Sequence, residues 1–363
     1  MNILIVSGFF YPLNVPRAFR TTELVKRFCK LGHKVKLYIP KDNCDRMGFV
    51  RKYPVEINYY NNPNSSFDKN EILFFNRLKN RILNQFFEYP NIKLLWELPK
   101  VLRSENGYDL LITIAAPHPI HWALGKIYSK GHRIAKTWIA DCGDPYMFCG
   151  TSQYRHPFYL GIQEKRWCRE CDFITVPIES AKDAYYPEFR NKIHIIPQAF
   201  DFDEVKLQKY VPNNIPTFAF SGNLIPKVRD PKPLLDYLIK QNMDFKFIVY
   251  TAKKHLVEPY KEFLGKKLEV YDYIPRLDLL YKLSAMDFLI NIENSSQNQT
   301  PSKLIDYALT KRPILSINPL NFNTKMIDSF LNRDYTDQYL IQDIERYNIV
   351  NVTNEFLNLC NIK

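Results

Sequence analysis

The chain has 363 residues, 46% hydrophobic and 15% aromatic with 25 Phe and 24 Tyr, which excludes a disordered protein and makes two cores the first expectation. An excess of 50 Lys+Arg over 38 Asp+Glu gives a formal net charge of +12 and favours anionic partners, but no nucleic-acid signature is present and nucleic acid is set aside. MNILIVSGFFYP lacks a basic leader and a cleavage site, and no apolar run reaches membrane-span length, so a cytoplasmic protein is expected.

Asn2 to Ser7 is a short, continuous apolar run, the mark of a parallel strand covered on both faces. After Gly8 comes a Phe-Phe-Tyr-Pro loop, then helical spacing from Arg17 to Leu31, then Gly32-His33 and a second strand from Lys34 to Ile39. Such a β-loop-α-β unit places a ligand crevice at the carboxyl ends of parallel strands. The first loop has no GxGxxG, so a dinucleotide fingerprint is missing. Arg17 and Arg20 open the helix either as solvated charges or as holders of an anionic or hydroxylated ligand.

From about residue 50 to 105 the pattern is looser and very aromatic. Ile72 to Trp96 mixes Leu, Ile and Phe with Lys and Arg at helical spacing, which suits packing inside the protein or rest on an anionic bilayer. Strands follow at Leu110 to Ile114 and Thr137 to Ala140. They run into Ala115-Ala116-Pro117-His118-Pro119 and Asp141-Cys142-Gly143-Asp144-Pro145. His118 and Asp141 could hold substrate or carry a proton there, or simply cap loops. Gln163 to Cys171 reads as a helix, and Phe173 to Pro177 and Ile193 to Pro197 as strands. Cys168 and Cys171 form a CREC pair inside that helix without a second tight pair. They read as packed, reduced thiols in preference to zinc ligands.

Tyr210 to Pro216 is polar and Pro-rich and reads as a linker. The same grammar then restarts. Phe218 to Ser221 is a strand, Gly222-Asn223 a turn, Lys227 and Arg229 lie in the crossover, and Pro231 to Lys240 is helical. Phe245 to Thr251, Leu268 to Tyr271 and Phe288 to Ile292 are further strands, with Leu277 to Ala285 helical. In NQTPSKLIDYALTKRPIL, Thr300 caps a helix, Pro301 is its first residue, and the amides of Ser302, Lys303 and Leu304 point outwards together. A helix start carries roughly half a positive charge, Lys303 adds a whole one, and together they suit a phosphate. Asp306 lies one turn on, placed to accept from sugar hydroxyls. Tyr339 to Lys363 reads as helical.

In order and spacing these segments resemble a family-four glycosyltransferase of the GT-B fold. The segments APHPIHWALG and WIADCGDP resemble PPxSxHxxG and WxADxRDPW. CDFITVP and IIPQAFD are similar to ADxITVx and IPNGFD, FSGNLIPKVRDPKPLL to a VG(R/N)L segment with a basic phosphate clamp, and TPSKLIDYALTKRPIL to PSKxxEYLAxGKPI. The resemblance implies α/β architecture with two Rossmann-like, doubly wound parallel-sheet domains and an interdomain cleft. Residues 1–210 would form an acceptor-side domain and 211–345 a nucleotide-sugar-binding domain. Residues 346–363 would be a helix packing back on the first domain.

By the same resemblance Gly222, Asn223, Lys227, Arg229, Tyr273, Asn298, Pro301, Ser302, Lys303, Leu304 and Asp306 bind the donor. The backbone from Tyr273 to Arg276 frames its base. Asp141, Asp144, Arg229 and Lys303 carry the chemistry, and Arg17, Arg20 and His118 line the acceptor side. The implied activity moves a sugar from a nucleotide-diphosphate sugar to a glycan or lipid-linked glycan. It would proceed with retention, without metal or cofactor, in polysaccharide or lipopolysaccharide synthesis at the inner face of the membrane. The family's E-x7-E would place Glu at 298 and 306, where this chain has Asn298 and Asp306. That departure keeps an inactive nucleotide- or glycan-binding protein open, and the shared architecture keeps a nucleotide-sugar epimerase open.

Overall fold

The computed structural model describes residues 1–13, 15–63, 74–148, 156–293 and 302–362. Ile3 and Ile5 face one side of the first sheet and Leu4 and Val6 the other, all fully buried. Burial on both faces is why that strand shows no polar alternation. The sheet is parallel and runs β3-β2-β1-β4-β5-β6-β7. Its strands are β1 (Asn2–Ser7), β2 (Lys34–Pro40), β3 (Val55–Tyr60), β4 (Tyr108–Ala115), β5 (Ala135–Cys142), β6 (Phe173–Val176) and β7 (Ile193–Ile195). Ile3 pairs with Val35 on one side and Leu110 on the other, so the order of strand addition reverses at β1. The helices of this unit are α1 (Pro16–Lys30), α2 (Met47–Lys52), α3 (Phe74–Phe87), α4 (Leu94–Val101), α5 (Pro119–Tyr128) and α6 (Leu160–Glu170). The described part of the amphipathic Ile72 to Trp96 segment, from Phe74 on, thus holds α3 and the start of α4, separated around Glu88, whose φ is +53°, and Pro90.

The second unit repeats the design with β8 (Thr217–Ser221), β9 (Lys246–Tyr250), β10 (Leu268–Tyr271), β11 (Phe288–Ile292) and β12 (Ile314–Ile317), in the order β10-β9-β8-β11-β12. Its helices are α7 (Lys232–Leu238), α8 (Lys261–Leu264), α9 (Arg276–Leu283), α10 (Ser302–Leu309) and α11 (Thr324–Leu331). Phe218 anchors one face of the sheet, its ring stacked 4.9 Å from Phe247 and 4.6 Å from Phe288. Here the order of strand addition reverses between β8 and β11. In open α/β sheets ligands bind beyond the strand ends at such a point.

The chain divides as Met1–Phe200 with Tyr347–Lys363, and Asp201–Arg346. The Pro-rich stretch that reads as a linker therefore belongs to the second unit. The reason is Asp287, whose Oδ1 accepts from the Tyr210 hydroxyl at 2.7 Å and the Asn213 N–H at 3.1 Å, while Oδ2 accepts from the Thr217 N–H at 2.7 Å. Only part of the tail is helical. Tyr339 donates its N–H to the Ile314 carbonyl at 2.8 Å within the second unit. The last helix, α12 (Ile349–Asn361), opens on an Asn348 cap that accepts from the Val350 N–H, and it packs against α1 of the first unit.

Candidate functional site

At the switch point of the second unit, β8 ends at Ser221 and Gly222 takes φ +147°, a conformation an L side chain rarely adopts. A Cβ added there would meet the Phe220 ring at 3.5 Å and Cδ of Lys303 at 3.7 Å, ordinary van der Waals contact, so it is the φ that calls for glycine. The crossover then folds on itself: Ile225 and Arg229 exchange N–H···O bonds of 3.1 and 2.8 Å around Lys227, whose φ is +65°. The tight turn leaves Lys227 exposed at its tip. Arg229 is brought back, its Nη1 donating to the Asn223 carbonyl at 3.0 Å.

The start of α10 is pinned to the end of β8 by Tyr307. Its hydroxyl accepts from the Ser221 N–H at 2.7 Å and donates to the Ser221 carbonyl at 3.2 Å. Leu304 turns its side chain into the core, so only its amide can serve a ligand. Lys303 Nζ sits 4.6 Å above the Phe220 ring, buried and with no hydrogen-bond partner among the described residues. Burial, aided by the nearby positive charge of Arg229, pulls the lysine pKa down to about 7. Burial also lowers Arg229, against which Tyr273 and Tyr307 act weakly. Asp306 follows at the three-residue spacing that shares a helix face with Lys303. Arg276, at the start of α9, holds it through Nε at 2.9 Å and Nη2 at 2.5 Å. Asn298 and Pro301 lie outside the described residues.

In the first unit, Arg17, Arg20 and Asp141 are brought together. Asp141 accepts from Arg20 at 2.8 and 3.2 Å, from Arg17 at 3.1 Å and from the Thr175 hydroxyl at 2.7 Å. Burial alone would raise its pKa, but Arg20 and Arg17 outweigh burial and the net shift is downward. Asp141 is therefore a fixed anion that orients two guanidiniums, which does not suit the proton-carrying role that the sequence leaves open for it. Arg20 also donates to the Pro197 carbonyl at 2.6 Å and lies 4.9 Å from the Phe356 ring, tying α1 to β7 and α12. Arg17 lies across Gly143, where an added Cβ would come within 2.7 Å of its Cζ, and Asp144 adds a favourable charge. His118 is partly enclosed, 4.9 Å from the Tyr146 ring, and burial with His121, His156 and Arg17 pulls its pKa down to about 3. Its imidazole is neutral at ordinary pH.

Three contributors escaped the sequence reading: Thr175, Tyr307 and the side chain of Arg276. Thr175 and Tyr307 lie inside segments that read correctly as strand and helix, and Arg276 begins α9. Each partner is distant in sequence, so no local spacing announces it. Cys168 and Cys171 are buried free thiols, and burial pushes Cys171 up to about 12. Lys192 closes that end of α6 by donating to the carbonyls of Cys168, Arg169 and Cys171 at 2.9, 2.8 and 2.7 Å.

The fold is that of solved GT-B structures. The lipopolysaccharide outer core galactosyltransferase WaaB, in its apo form, is 13% identical with a TM-score of 0.60, over 100% of this chain and 99% of that one. HepE from Anabaena, in complex with UDP-glucose, is 10% identical with a TM-score of 0.61, over 100% of both chains. A putative UDP-N-acetylglucosamine 2-epimerase from Listeria monocytogenes is 11% identical with a TM-score of 0.55, over 99% of this chain and 96% of that one. No family model and no curated protein matches the sequence. At these identities the likeness defines the architecture, two Rossmann-like parallel-sheet α/β domains of the GT-B class.

Proposed function

We propose that this chain is a glycosyltransferase that binds a nucleotide-diphosphate sugar in its second unit and moves the sugar to an acceptor hydroxyl. The observation that carries the reading is the buried, unpartnered Lys303 ammonium, set beside Arg229 where α10 begins. A buried cation without a partner is costly, and a diphosphate supplies the missing charge while meeting the helix amides. The same cations then face the leaving β-phosphate, whose charge grows as the glycosidic bond breaks. Fixed in advance, they stabilise that charge without reorganising. They also provide the neutralisation a divalent ion would otherwise supply, so transfer is proposed to need no metal. Retention at the anomeric carbon rests on the family-four resemblance.

Gly222, Asn223 and the amides of Ser302 to Leu304 complete the proposed donor cradle, with Tyr273 towards the base. Arg17 and Arg20, oriented by Asp141 and Asp144, and neutral His118 are proposed to face the acceptor. A glycan or lipid-linked glycan is the acceptor class. The lipid-linked form is supported by an apolar surface on the first unit. Ile82, Phe86 and Phe87 of α3 and Phe158 and Ile162 beside the start of α6 are exposed, and the Tyr159 hydroxyl donates to the Phe86 carbonyl between them. With the net charge of +12, that surface suits contact with an anionic bilayer.

Arg229→Ala and Lys303→Ala should each lower sugar transfer by about a hundredfold, the scale of losing one preorganised electrostatic group. Release of nucleoside diphosphate in the presence of acceptor measures it, and near-wild-type turnover in both variants would overturn the assignment. The likeness to an epimerase structure favours a second reading. Incubation with a nucleotide sugar alone separates the two, since an epimerase converts it without any acceptor.

A further inference from the structure

We propose that the first unit carries a separate anion site, on the amino edge of its sheet, that takes a phosphate or carboxylate attached to an apolar body. A pocket of about 530 Å³ lies there, where the turn after α4 meets the end of α5 and the loop that follows it. That size is ordinary for a small-molecule site. Its segments precede strands, Arg103 coming before β4 and His132 before β5, whereas His118 comes after β4 and Asp141 at the end of β5. An eight-residue parallel strand spans about 23 Å, so the pocket is remote from the residues on the carboxyl edge. The inference does not rest on the donor-site reading.

Arg103, Lys126 and Lys130 bring three positive charges to the pocket, and among the described residues no carboxylate lines it. The acids of the neighbouring segments are engaged elsewhere. Glu97 pairs with Lys100 at 3.4 Å and Asp109 with Lys136 at 2.8 Å, while Glu105 accepts from Lys36 at 2.9 Å, from the Tyr38 hydroxyl at 2.7 Å and from the Tyr108 hydroxyl. Two of the polar groups are held in place: Lys126 donates to the Leu95 carbonyl at 3.2 Å, and His132 Nε2 donates to the Glu105 carbonyl at 3.1 Å. A concave site lined by one sign of charge concentrates ions of the other sign. Leu102, fully buried, and Ile127, 6% exposed, supply an apolar floor beneath the cations. That floor distinguishes the ligand from a plain inorganic ion, because it favours a hydrocarbon body behind the anionic head.

The test is calorimetric titration of the full chain with inorganic phosphate and with ethyl, butyl and hexyl phosphate, hexanol serving as the uncharged control. Affinity should rise about threefold for each methylene added, and hexanol should bind far more weakly than hexyl phosphate. Arg103 and Lys130 are exposed, so Arg103→Ala and Lys130→Ala should fold as wild type does, and each should weaken hexyl phosphate about tenfold, the scale of one hydrogen bond to a charged group. Lys303→Ala, in the other unit, should leave hexyl phosphate affinity unchanged. Flotation with phosphatidylglycerol vesicles separates two sources of the same chemistry: loss of vesicle binding in Arg103→Ala assigns a lipid headgroup, and its retention assigns a free organic anion. Equal affinity for inorganic and hexyl phosphate overturns the site, as does hexyl phosphate binding that survives Arg103→Ala combined with Lys130→Ala. Binding lost in Lys303→Ala, or none to wild type at millimolar concentration, overturns it as well.

Discussion

A single lysine gives the site its expected pH response. In the unfolded chain Lys303 has its ordinary pKa of 10.5, and in the folded, ligand-free protein about 7. Between those values the unfolded state binds more protons, so this residue's contribution to stability improves as pH rises from about 7 towards 10.5. A bound diphosphate acts in the opposite sense, because it holds Lys303 charged and binding above pH 7 takes up a proton. Affinity for a nucleotide sugar should be flat below about pH 7 and fall by up to about tenfold per pH unit above it. Arg229 is the charged neighbour, and Tyr307, pushed far up by burial, does not titrate in this range. Calorimetric titrations from pH 6 to 9 check the slope, which Lys303→Arg should flatten; equal slopes in both proteins would count against it. In the first unit, Arg20 and Asp141 are each 2% exposed. Arg20→Met leaves the buried Asp141 carboxylate with Arg17 and Thr175 as its partners and should cost about 1–3 kcal/mol, read from the urea midpoint.

Among the elements, α10 was the most legible in sequence, since Pro301, Lys303 and the apolar stripe of Leu304 and Ile305 announce a helix start and its buried face. Its anchorage was not legible. Tyr307 reads as one more stripe residue, and its bond to Ser221 exists only because β8 and β11 lie side by side in the sheet. Tyr307→Phe should leave the buried Ser221 N–H unpaired, cost about 1–3 kcal/mol in thermal unfolding, and weaken nucleotide binding by letting the helix start drift. The exposed edge strand β3 was hard to see for a different reason. Its central residues are only partly buried, so neither a continuous apolar run nor clean alternation marks it. The partners of Asp141 were not legible either, because the guanidiniums and hydroxyl that hold it come from α1 and β6.

For the molecule as a whole, two doubly wound units were legible because the strand-loop-helix grammar restarts after residue 210. The boundary was not, since a Pro-rich stretch captured by a buried carboxylate looks the same in sequence as a free linker. No helix among the described residues is long and apolar enough to cross a membrane, and the proposed bilayer contact is through the exposed apolar side chains of α3 and α6. Vesicles containing phosphatidylglycerol should float the protein, vesicles of phosphatidylcholine should not, and Phe86→Ser with Phe87→Ser should release it; a wild type that stays wholly in the soluble fraction removes the membrane contact. The first unit is also discontinuous, completed by residues 347–363 after the second has been laid down. On the ribosome the second unit can be whole while the first still lacks the helix that covers Leu24, Val25 and Phe28 of α1 with Val352, Phe356 and Leu359. Translation therefore delivers the closing piece of the N-terminal core last, and a nascent chain that pauses before Tyr347 exposes an apolar face that chaperones recognise.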